Sequence, residues 1–515
     1  MTVRRERTVS LWMNTEVAPD ATPLAQDETT DIVVVGSGIA GLATAYELSR
    51  RGKDVVVLDR GPIGQGMTAR TTAHLASVSD DSFAAFIELK GLDLAKAFHA
   101  SHAAAVARIA AVQADEKITC NFRRLDGCLF PAIGRDPAEL DAEFDAARRV
   151  GVPVEDVRGL PFKGQEDVRY LRYPDQAAFH PLRYLRGLAS VLLARGARLY
   201  AHSAVETVEE DAVGAVVRTA EGHRVRAKAA VVATNSPIND RFAIHTKEAP
   251  YRSYAMAFTI ARGALPDALY WDTLDPYHYV RLQPGPGTTD YLIVGGADHK
   301  TGEADDAGVR FEGLESWIRG LVPALGRETH RWSGQVLEPI DYAGFLGRNP
   351  GSKNVYVASG DSGQGITHGV VASLLIADLV TTGSSPWLEL YDPSRIPLAA
   401  ASRFLLENAT AVTNFAEYAA PGELGSVDDL RPGQGAIVRE GLTKIAAYRG
   451  ENGVLYCCSA ACTHVGCHLH WNSLEVCWDC PCHGSHFAVD GTVLNAPAVG
   501  ALAPVAPARQ KAKTG

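Results

Sequence analysis

The first strongly patterned stretch of the chain runs from residue 31 to residue 61 and reads DIVVVGSGIAGLATAYELSRRGKDVVVLDRG. Short apolar runs bounded by turn residues indicate buried strands, whereas apolar residues spaced three and four apart indicate an amphipathic helix. Here the run IVVV is followed by a glycine-rich turn, a helical pattern and a second run, VVVL. The pattern therefore predicts a strand–helix–strand unit whose two strands are parallel.

Later parts of the chain repeat this alternation of strand and helix. Apolar strands ending in turns occur at AAVVATNSP (229–237) and at NVYVASGDSGQG (354–365), and the second leads directly into the helix-like ITHGVVASLLIADLV. Such alternation is typical of an α/β fold with a parallel sheet. Residues 241–340 instead contain alternating strands such as YHYVRLQ and DYLIVGG, which predict a second, antiparallel sheet facing a substrate.

Proline- and glycine-rich stretches such as APGELGSVDDLRPGQG divide the chain, because these residues are typical of linkers and domain boundaries. We expect an unpatterned N-terminal segment (1–30) and a discontinuous dinucleotide-binding domain (31–240 and 341–390), which includes part of the substrate layer around 85–170. The remaining parts are a substrate-binding domain (241–340), a linker helix (391–424) and a small strand-rich domain (425–507).

The composition limits the binding partners. Of the 515 residues, 46% are hydrophobic and 21% are charged, as in an ordinary soluble globular protein. The net charge of -10 opposes binding to nucleic acid or to an anionic membrane, since these partners select basic surfaces. The N-terminal residues contain no apolar run as long as a signal peptide or a membrane span. We therefore expect a cytoplasmic protein with no nucleic-acid or membrane partner.

The turn after the first strand has the spacing G-x-G-x-x-G, formed by Gly36, Gly38 and Gly41, and Asp59 closes the next strand. The first glycine allows the tight turn, the second lets backbone amides approach a pyrophosphate, and the third lets the helix pack closely on the strand. An acid at the end of the second strand accepts a hydrogen bond from a ribose hydroxyl. The context predicts a dinucleotide site, and the alternative is a plain tight turn.

Seven of the nine cysteines lie between residues 457 and 482, which favours a metal site over a disulfide scaffold. Two short motifs stand out, Cys462-x-His464 and Cys480-x-x-His483, each with one thiolate and one imidazole. Two cysteines and two histidines also satisfy tetrahedral zinc, so a zinc site is the alternative.

The segments CTHVGC and CPCHGS closely resemble the Rieske [2Fe-2S] family, over roughly residues 425–505. The resemblance implies that Cys462 and Cys480 hold one iron of the cluster and that His464 and His483 hold the other. It also implies a disulfide between the two remaining cysteines of these segments, Cys467 and Cys482, and a hydrogen bond from Ser485 to cluster sulfide.

Residues 31–385 resemble the D-amino-acid-oxidase-like superfamily of glycine- and sarcosine-oxidising enzymes, in the glycine turn and in AAVVATN and VYVASGDSGQGITHG. The resemblance implies an α/β FAD-binding (Rossmann-like) domain with an antiparallel substrate-binding sheet, followed by a small all-β Rieske domain. It also implies that the helix starting near Gly365 directs its positive end at the flavin. The candidate FAD-binding residues are Gly36, Ser37, Gly38, Ile39, Ala40, Gly41, Asp59, Arg60, Arg70, Thr71, Thr72, His74, Ala204, Ala233, Thr234, Gly360, Asp361, Gly363, Gln364, Gly365, Ile366 and Thr367.

His74, in the segment TTAH, has a second possible role. The dimethylglycine and sarcosine dehydrogenases present a histidine in a loop of similar pattern, and that histidine is covalently joined to the flavin. The resemblance therefore leaves open a covalent link at His74, and the alternative is a packed, hydrogen-bonded histidine.

The strand PYHYVRLQ supplies the candidate catalytic residues, because alternation places Tyr277, Tyr279 and Arg281 on one face. Arg281 could clamp a substrate carboxylate with two hydrogen bonds, and the tyrosines could orient an amine. His368 and Arg70 are further candidates. The alternative is a solvated strand face with an aromatic pair that serves packing.

The two cofactors together predict a function. A flavin takes two electrons as a hydride, whereas a [2Fe-2S] centre carries one electron at a time. We expect FAD-dependent oxidation of a small amine or amino-acid substrate, with electrons relayed through the cluster to an acceptor, which could be a redox partner protein. One alternative is a reductase component that receives its electrons from NAD(P)H, although no second glycine turn of the right form follows a strand. Another is a redox-sensing or structural protein.

Overall fold

Two large β-sheets and two small ones organise the part of the chain that the computed structural model describes, which comprises residues 6–239, 244–401, 407 and 413–506. The first large sheet has a parallel centre with the strand order β16-β17-β10-β1-β2-β7. β9 pairs with the first residues of β10, and β8 pairs with β9. Its strands are β1 Glu28–Val35, β2 Val55–Leu58, β7 Arg198–Tyr200, β8 Val205–Glu210, β9 Ala215–Thr219, β10 Arg224–Val232, β16 Phe345–Arg348 and β17 Val355–Ser359.

The parallel pairing of this sheet explains the unbroken apolar runs in the sequence. All four residues of β2 are buried, as are the last four of β1, because helices cover both faces of a parallel sheet. The predicted strand–helix–strand unit and the parallel sheet are therefore confirmed.

The second large sheet is mostly antiparallel, as the alternating pattern predicts, with one parallel pair between β4 and β12. Of the strands that precede residue 241, β4 and β5 lie within residues 85–170, where part of this layer is expected, β6 begins there, and β3 comes before it. Its strands are β3 His74–Leu75, β4 Arg123–Phe130, β5 Glu155–Arg158, β6 Arg169–Ala178, β11 Glu248–Ala261, β12 Leu269–Asp272, β13 Tyr279–Pro284, β14 Thr289–Lys300 and β15 Glu328–Pro339.

The helices pack against these two sheets. They are α1 Ile39–Arg50, α2 Phe83–Lys90, α3 Leu92–Asp115, α4 Leu140–Val150, α5 Pro181–Ala194, α6 Ala307–Leu321, α7 Gly365–Thr382 and α8 Leu388–Tyr391. Within the described ranges, α7 alone is long and apolar enough to cross a membrane by length and composition, and two thirds of it is buried inside the fold, against α1 and α3. Its hydrophobicity is therefore that of a core helix.

The small C-terminal domain consists of a three-stranded and a four-stranded antiparallel sheet. Of the predicted linker helix, residues 413–416 are helical, and residues 402–406 and 408–412 lie outside the described residues. The strands of this domain are β18 Gly435–Glu440, β19 Thr443–Arg449, β20 Leu455–Ser459, β21 His470–Asn472, β22 Cys477–Asp479, β23 His486–Ala488 and β24 Val493–Asn495.

The N-terminal segment, which has no regular pattern in the sequence, is part of the core. Trp12 is fully buried and donates a hydrogen bond to the carbonyl of Thr71 over 2.7 Å. Ser10 is also buried and donates to the carbonyl of Ala69. The segment therefore packs against the loop that leads to His74.

A buried network of charges joins the N-terminal segment, the second large sheet and the small domain. Nε of Arg70 lies 2.9 Å from a Glu6 carboxylate oxygen, and its Nη1 lies 3.1 Å from one of Glu475. Nη2 of Arg252, on β11, donates to both carboxylate oxygens of Asp479 over 3.0 Å, and Arg252 also contacts Glu6. All five side chains are at most 6% exposed. Their pairing offsets the cost of burying charge and fixes the small domain against the sheet.

The variant Arg252→Ala tests how much this network contributes to the stability of the fold. It removes the guanidinium that pairs with the buried Asp479 and one of the two that pair with Glu6, so we expect a loss of about 3–5 kcal/mol in the free energy of unfolding, measured by denaturant titration. The control is Arg331→Ala on β15, whose pair with Glu328 is half exposed, and a cost of about 0–1 kcal/mol is expected there. Equal destabilisation by the two variants would contradict a structural role for the network.

Candidate functional site

A cavity of about 420 Å³ is lined by residues of both large sheets and of the small domain. The first sheet contributes the carboxyl ends of β1 and β2 and the turns that begin α1 and α7. The second contributes parts of β11, β13 and β15. Leu494, Asn495 and Ala496 of the small domain complete the wall.

The glycine turn opens the start of α1 to this cavity. Gly36 has a φ of +101°, which an L side chain rarely adopts, and a Cβ on Gly41 would collide with the carbonyl of Gly36. Gly38 is the N-cap of α1 and makes no side-chain cap, and a Cβ there would lie 3.1 Å from Oγ1 of Thr68. The amide of Ile39 donates to Oγ1 of Thr68 over 3.0 Å, and the missing side chain at Gly38 lets an anion approach the start of the helix closely.

Asp59 lies at the end of β2, beside this turn. One of its carboxylate oxygens accepts hydrogen bonds from the amide and the hydroxyl of Ser37, over 2.8 and 2.5 Å, and the other accepts from the amide of Gly61. A carboxylate oxygen accepts about two hydrogen bonds, so the oxygen bonded only to Gly61 keeps capacity for a further donor, such as a ribose hydroxyl. The neighbouring Arg60 has a buried Nη1 with no hydrogen-bond partner among the described residues, so it offers a donor to a bound nucleotide.

The turn before α7 forms the opposite part of the wall. Gly360 and Gly363 have φ values of +74° and +70°. Asn235 in the same wall adopts a φ of +67°, a conformation that asparagine tolerates better than most residues. Gln364 and Gly365, which begin α7, also line the cavity, so the positive end of this helix faces it.

Most of the candidate FAD-binding residues come together here. Gly41, Ala204 and Thr367 are exceptions. Gly41 packs onto Gly36, Ala204 adjoins Val205, which does line the cavity, and Thr367 is turned into α7, where its hydroxyl donates to the carbonyl of Gln364. The candidates that line the cavity are Gly36, Ser37, Gly38, Ile39, Ala40, Asp59, Arg60, Arg70, Thr71, Thr72, His74, Ala233, Thr234, Gly360, Asp361, Gly363, Gln364, Gly365 and Ile366.

The residues present fit FAD. Two helix N-termini face one cavity, a donor on Arg60 is unpartnered among the described residues, and glycines stand where a side chain would fill the cradle. Helix N-termini and backbone amides are the groups that hold a pyrophosphate and a flavin edge.

His74 lies in the same wall, on β3. Burial lowers its pKa to about 3, so the imidazole is neutral. Its ring meets that of Tyr279 edge-on at 5.3 Å, and Nδ1 lies 3.2 Å from the Thr72 hydroxyl. Nε2 is buried and has no hydrogen-bond partner within the described part of the chain. The covalent link to the flavin stays a prediction.

Tyr277 and Tyr279 line the cavity, but Arg281 does not. Arg281 shares a face of β13 with Tyr279, as alternation predicts, yet it is fully buried beneath the loop before β3. Its guanidinium donates to the carbonyls of Ala73 and Phe179 and to the side chain of Gln283. Burial lowers the pKa of Arg281 to about 9. The predicted carboxylate clamp is therefore wrong, because these donors already hold structural carbonyls.

His368 is buried in the first turn of α7 and lines the cavity. Its Nε2 lies 3.2 Å from the carbonyl of Ser359, at the end of β17, and burial lowers its pKa to about 4. The neutral ring thus joins the strand to the helix, and a direct part in the reaction stays a prediction.

The two cysteine–histidine motifs form a matched pair of loops in the small domain. In each loop a glycine of positive φ, Gly466 or Gly484, donates its amide to the carbonyl of the first cysteine, Cys462 or Cys480. The thiols of those two cysteines are close enough to shift each other's pKa. The loops thus bring the four predicted ligands to one place.

The remaining groups of these loops agree with the resemblance. The imidazoles of His464 and His483 lie 5.0 Å apart, and Nδ1 of His483 is buried with no hydrogen-bond partner in the described ranges. Cys467 and Cys482 form a disulfide with an S–S distance of 2.08 Å, as the resemblance implies. Two buried thiols and two partly buried imidazoles fit a [2Fe-2S] cluster with mixed ligands.

The cluster loops touch the wall of the flavin cavity. The ring of His245 lies 4.9 Å from that of His464 and 5.6 Å from that of His483. Nδ1 of His245 lies 3.3 Å from the hydroxyl of Ser236, whose chain neighbour Asn235 lines the cavity. Sequence reasoning missed His245, because it lies in no recognisable motif and only its position in space marks it.

A second contact joins the same two sites. Asn495 lines the flavin cavity and donates a hydrogen bond to the carbonyl of Gly484, in the second cluster loop. A Cβ on Gly484 would collide with the side chain of Gln335, another residue of the cavity wall. The two sites are therefore separated by one layer of side chains.

Two family models match the chain. One, described as FAD dependent oxidoreductase, matches residues 31–379, and the other, described as Rieske [2Fe-2S] domain, matches residues 421–506.

Two relatives match different shares of the chain. Over 501 residues the chain is 28% identical to YhfW of Bacillus subtilis (strain 168), named as a Rieske 2Fe-2S iron-sulfur protein, with 96% of this chain and 97% of YhfW covered. It is 27% identical over 373 residues to gamma-glutamylputrescine oxidoreductase of Escherichia coli (strain K12), with 69% of this chain and 85% of that protein covered.

Solved structures share the fold of the larger part. Glycine oxidase from Geobacillus kaustophilus superposes with a TM-score of 0.60 at 19% identity and covers 72% of this chain and 99% of its own. L-amino acid deaminase from Proteus vulgaris, with its specific insertion sequence deleted, gives a TM-score of 0.58 at 18% identity and covers 73% and 96%.

The variant Gly38→Ala tests the nucleotide cradle. The added methyl lies beside Thr68 without a severe clash but separates the helix amides from a pyrophosphate. Hydrogen bonds to charged groups contribute about 1.5–3 kcal/mol each, so we expect at least about tenfold weaker FAD binding, measured by titrating the apoprotein. Gly313→Ala, on an exposed position of α6 with open space around it, is the control. Unchanged FAD affinity in Gly38→Ala would contradict this position for the pyrophosphate.

Metal analysis separates the cluster from the zinc alternative. We expect the purified protein to contain iron and acid-labile sulfide in equal amounts, and Cys462→Ser to remove both while FAD stays bound, because the ligand lies in the small domain. Cys457→Ser, a half-buried thiol on β20, should retain the iron. Stoichiometric zinc without sulfide would contradict the assignment.

Proposed function

Because the chain belongs to the family of FAD-dependent oxidoreductases and carries a Rieske [2Fe-2S] domain, we propose that it oxidises an amine or amino-acid-like substrate and relays the electrons through the Rieske cluster to a one-electron acceptor. The likeness to gamma-glutamylputrescine oxidoreductase supports this chemistry. The enzyme is an oxidoreductase of the amine and amino-acid oxidase type, and FAD and the [2Fe-2S] cluster are its cofactors.

The observation that carries the proposal is the wall shared by the two cofactor sites. His245 touches both cluster histidines, and its partner Ser236 is bonded to Asn235 of the flavin cavity. If the small domain did not exchange electrons with FAD, nothing would require its cluster loops to lie against the wall of the flavin cavity. The arrangement supports an exchange of electrons inside one chain.

The protein side chains supply positioning and exclusion of water. FAD when bound accepts a hydride, and the cluster passes on single electrons. The substrate loses that hydride from the carbon that bears nitrogen, and a proton leaves the nitrogen, so that an imine forms. Tyr277 and Tyr279 line the cavity at the substrate sheet and can orient the nitrogen. The small domain closes the cavity from the other side, which lowers the access of water.

Anaerobic mixing tests the proposal. Holoenzyme is mixed with a panel of primary amines, secondary amines and amino acids, and the visible absorbance of FAD and the electron paramagnetic resonance of the cluster are followed. We expect at least one amine to bleach FAD, and the signal of a reduced histidine-ligated cluster to appear afterwards. Reduction by NADH with no response to any amine would contradict substrate oxidation and favour a reductase component.

Two variants locate the relay within the same experiment. Cys462→Ser should bleach normally and show no cluster signal. His245→Leu should bleach at the wild-type rate and reduce the cluster more slowly, because the ring between the two sites is lost. Cluster reduction at the wild-type rate in His245→Leu would contradict a route through His245.

A further inference from the structure

The end of the cavity that faces the substrate sheet is acidic. Asp80, Asp298 and Asp361 all line the cavity, as do the aromatic rings of Tyr277 and Tyr279. The three aspartates come from a loop before α2, from β14 and from the turn before α7, so the tertiary fold brings their carboxylates together.

Asp80 lies beside Tyr277 and the α7 turn. The Tyr277 hydroxyl donates to Oδ2 of Asp80 over 2.8 Å. A Cβ on Gly363 would lie 2.8 Å from the same oxygen, so only a glycine lets this carboxylate sit against the turn. Burial, reinforced by repulsion from neighbouring carboxylates, raises the pKa of Asp80 to about 7.

Asp298 offers an unsatisfied acceptor in the same wall. Its Oδ1 is buried and has no hydrogen-bond partner among the residues described. Burial raises the pKa of Asp298 to about 6, although a hydrogen bond from Ser253 opposes the rise. A buried acceptor of this kind is costly unless a donor satisfies it, and a donor on a bound molecule would do so.

Among the described residues, no basic side chain that lines the cavity is paired with these acids. The charge of Arg310 lowers the pKa of Asp298, but Arg310 does not line the cavity and is paired with Asp306. Arg70 is paired with Glu6 and Glu475 in the charge network, and Arg281 is held by carbonyls outside the cavity wall. His74 and His368 are neutral because burial lowers the pKa of each. Arg60 is adjacent to Asp59, at the nucleotide end. In the described part of the chain, the substrate end therefore has acceptors for a cation and no available guanidinium for a carboxylate.

We propose that this end of the cavity is an ammonium-binding subsite in which Asp298 and Asp80 hold the positively charged nitrogen of the substrate, with Tyr277 and Tyr279 packed around it. The substrate is then an amine without a carboxylate next to the reacting carbon, rather than an α-amino acid. This inference rests on the proposed function, whose substrate class it narrows. Carboxylates and aromatic faces both attract an ammonium group.

The test uses three molecules of one shape that differ in charge: tert-butylammonium, tert-butanol and trimethylacetate. None has a hydrogen on the carbon next to the polar group, so none can donate a hydride, and binding is measured apart from turnover. Oxidised holoenzyme is titrated with each in potassium phosphate buffer, and the change in visible FAD absorbance is followed. We expect tert-butylammonium to bind at least about tenfold more tightly than tert-butanol, and trimethylacetate to bind more weakly than either.

Variants assign the effect to the two carboxylates. Asp298→Asn and Asp80→Asn should each lower tert-butylammonium affinity by about tenfold or more and leave that of tert-butanol unchanged, with FAD content as the check of folding. Asp167→Asn, at an exposed position, is the charge-matched control and should bind like the wild type. Tighter binding of trimethylacetate, or wild-type affinity for tert-butylammonium in both aspartate variants, would overturn the subsite.

The outcome is distinguishable from a failure of the proposed function. Charge-selective binding without FAD bleaching by any oxidisable amine would keep the subsite and reject amine oxidation. Bleaching by amino acids together with preferential binding of trimethylacetate would keep the oxidation and reject the subsite.

Discussion

The buried pairing of Arg70 and Arg252 with the carboxylates of Glu6, Glu475 and Asp479 is the interaction on which the arrangement of the two cofactor sites depends. A charge removed from water is costly unless a partner meets it in good geometry, so these groups accept only one docked position of the small domain. In that position Leu494, Asn495 and Ala496 close the flavin cavity. The network therefore fixes the position of the small domain and also contributes to stability.

The proposed electron route and the proposed substrate site both depend on this docking. The ligand loops are held where His464 and His483 contact His245, one layer of side chains from the cavity wall. The second large sheet, which carries Arg252 on β11, also carries Asp298 and Tyr279 of the cavity wall. A change in the register of this sheet would therefore disturb both the docking of the small domain and the proposed substrate site.

The parts that the sequence predicted well are those whose chemistry is local. The glycine turn and the parallel strands depend on spacing within a few residues, so one short segment carries the whole signal. The prediction that Cys462, His464, Cys480 and His483 are cluster ligands rests on the same kind of local spacing. Arg281 shows the limit of such reasoning. Alternation placed it on the face of Tyr279, but burial beneath Ala73 and Phe179 is a property of neighbours far along the chain. The N-terminal segment shows no pattern in the sequence because Trp12 and Glu6 are buried by residues distant in the chain.

By itself the sequence determined the two cofactors and the folds that hold them, and it predicted the four cluster ligands, because backbone conformation and ligand spacing within a loop are set by adjacent residues. Only the tertiary structure decided that the two sites share a wall, that His245 stands between them and that the substrate end of the cavity is acidic. Those features depend on burial and on distances between residues such as Arg70 and Glu475, which are 405 positions apart in the chain, and no local pattern encodes such a distance.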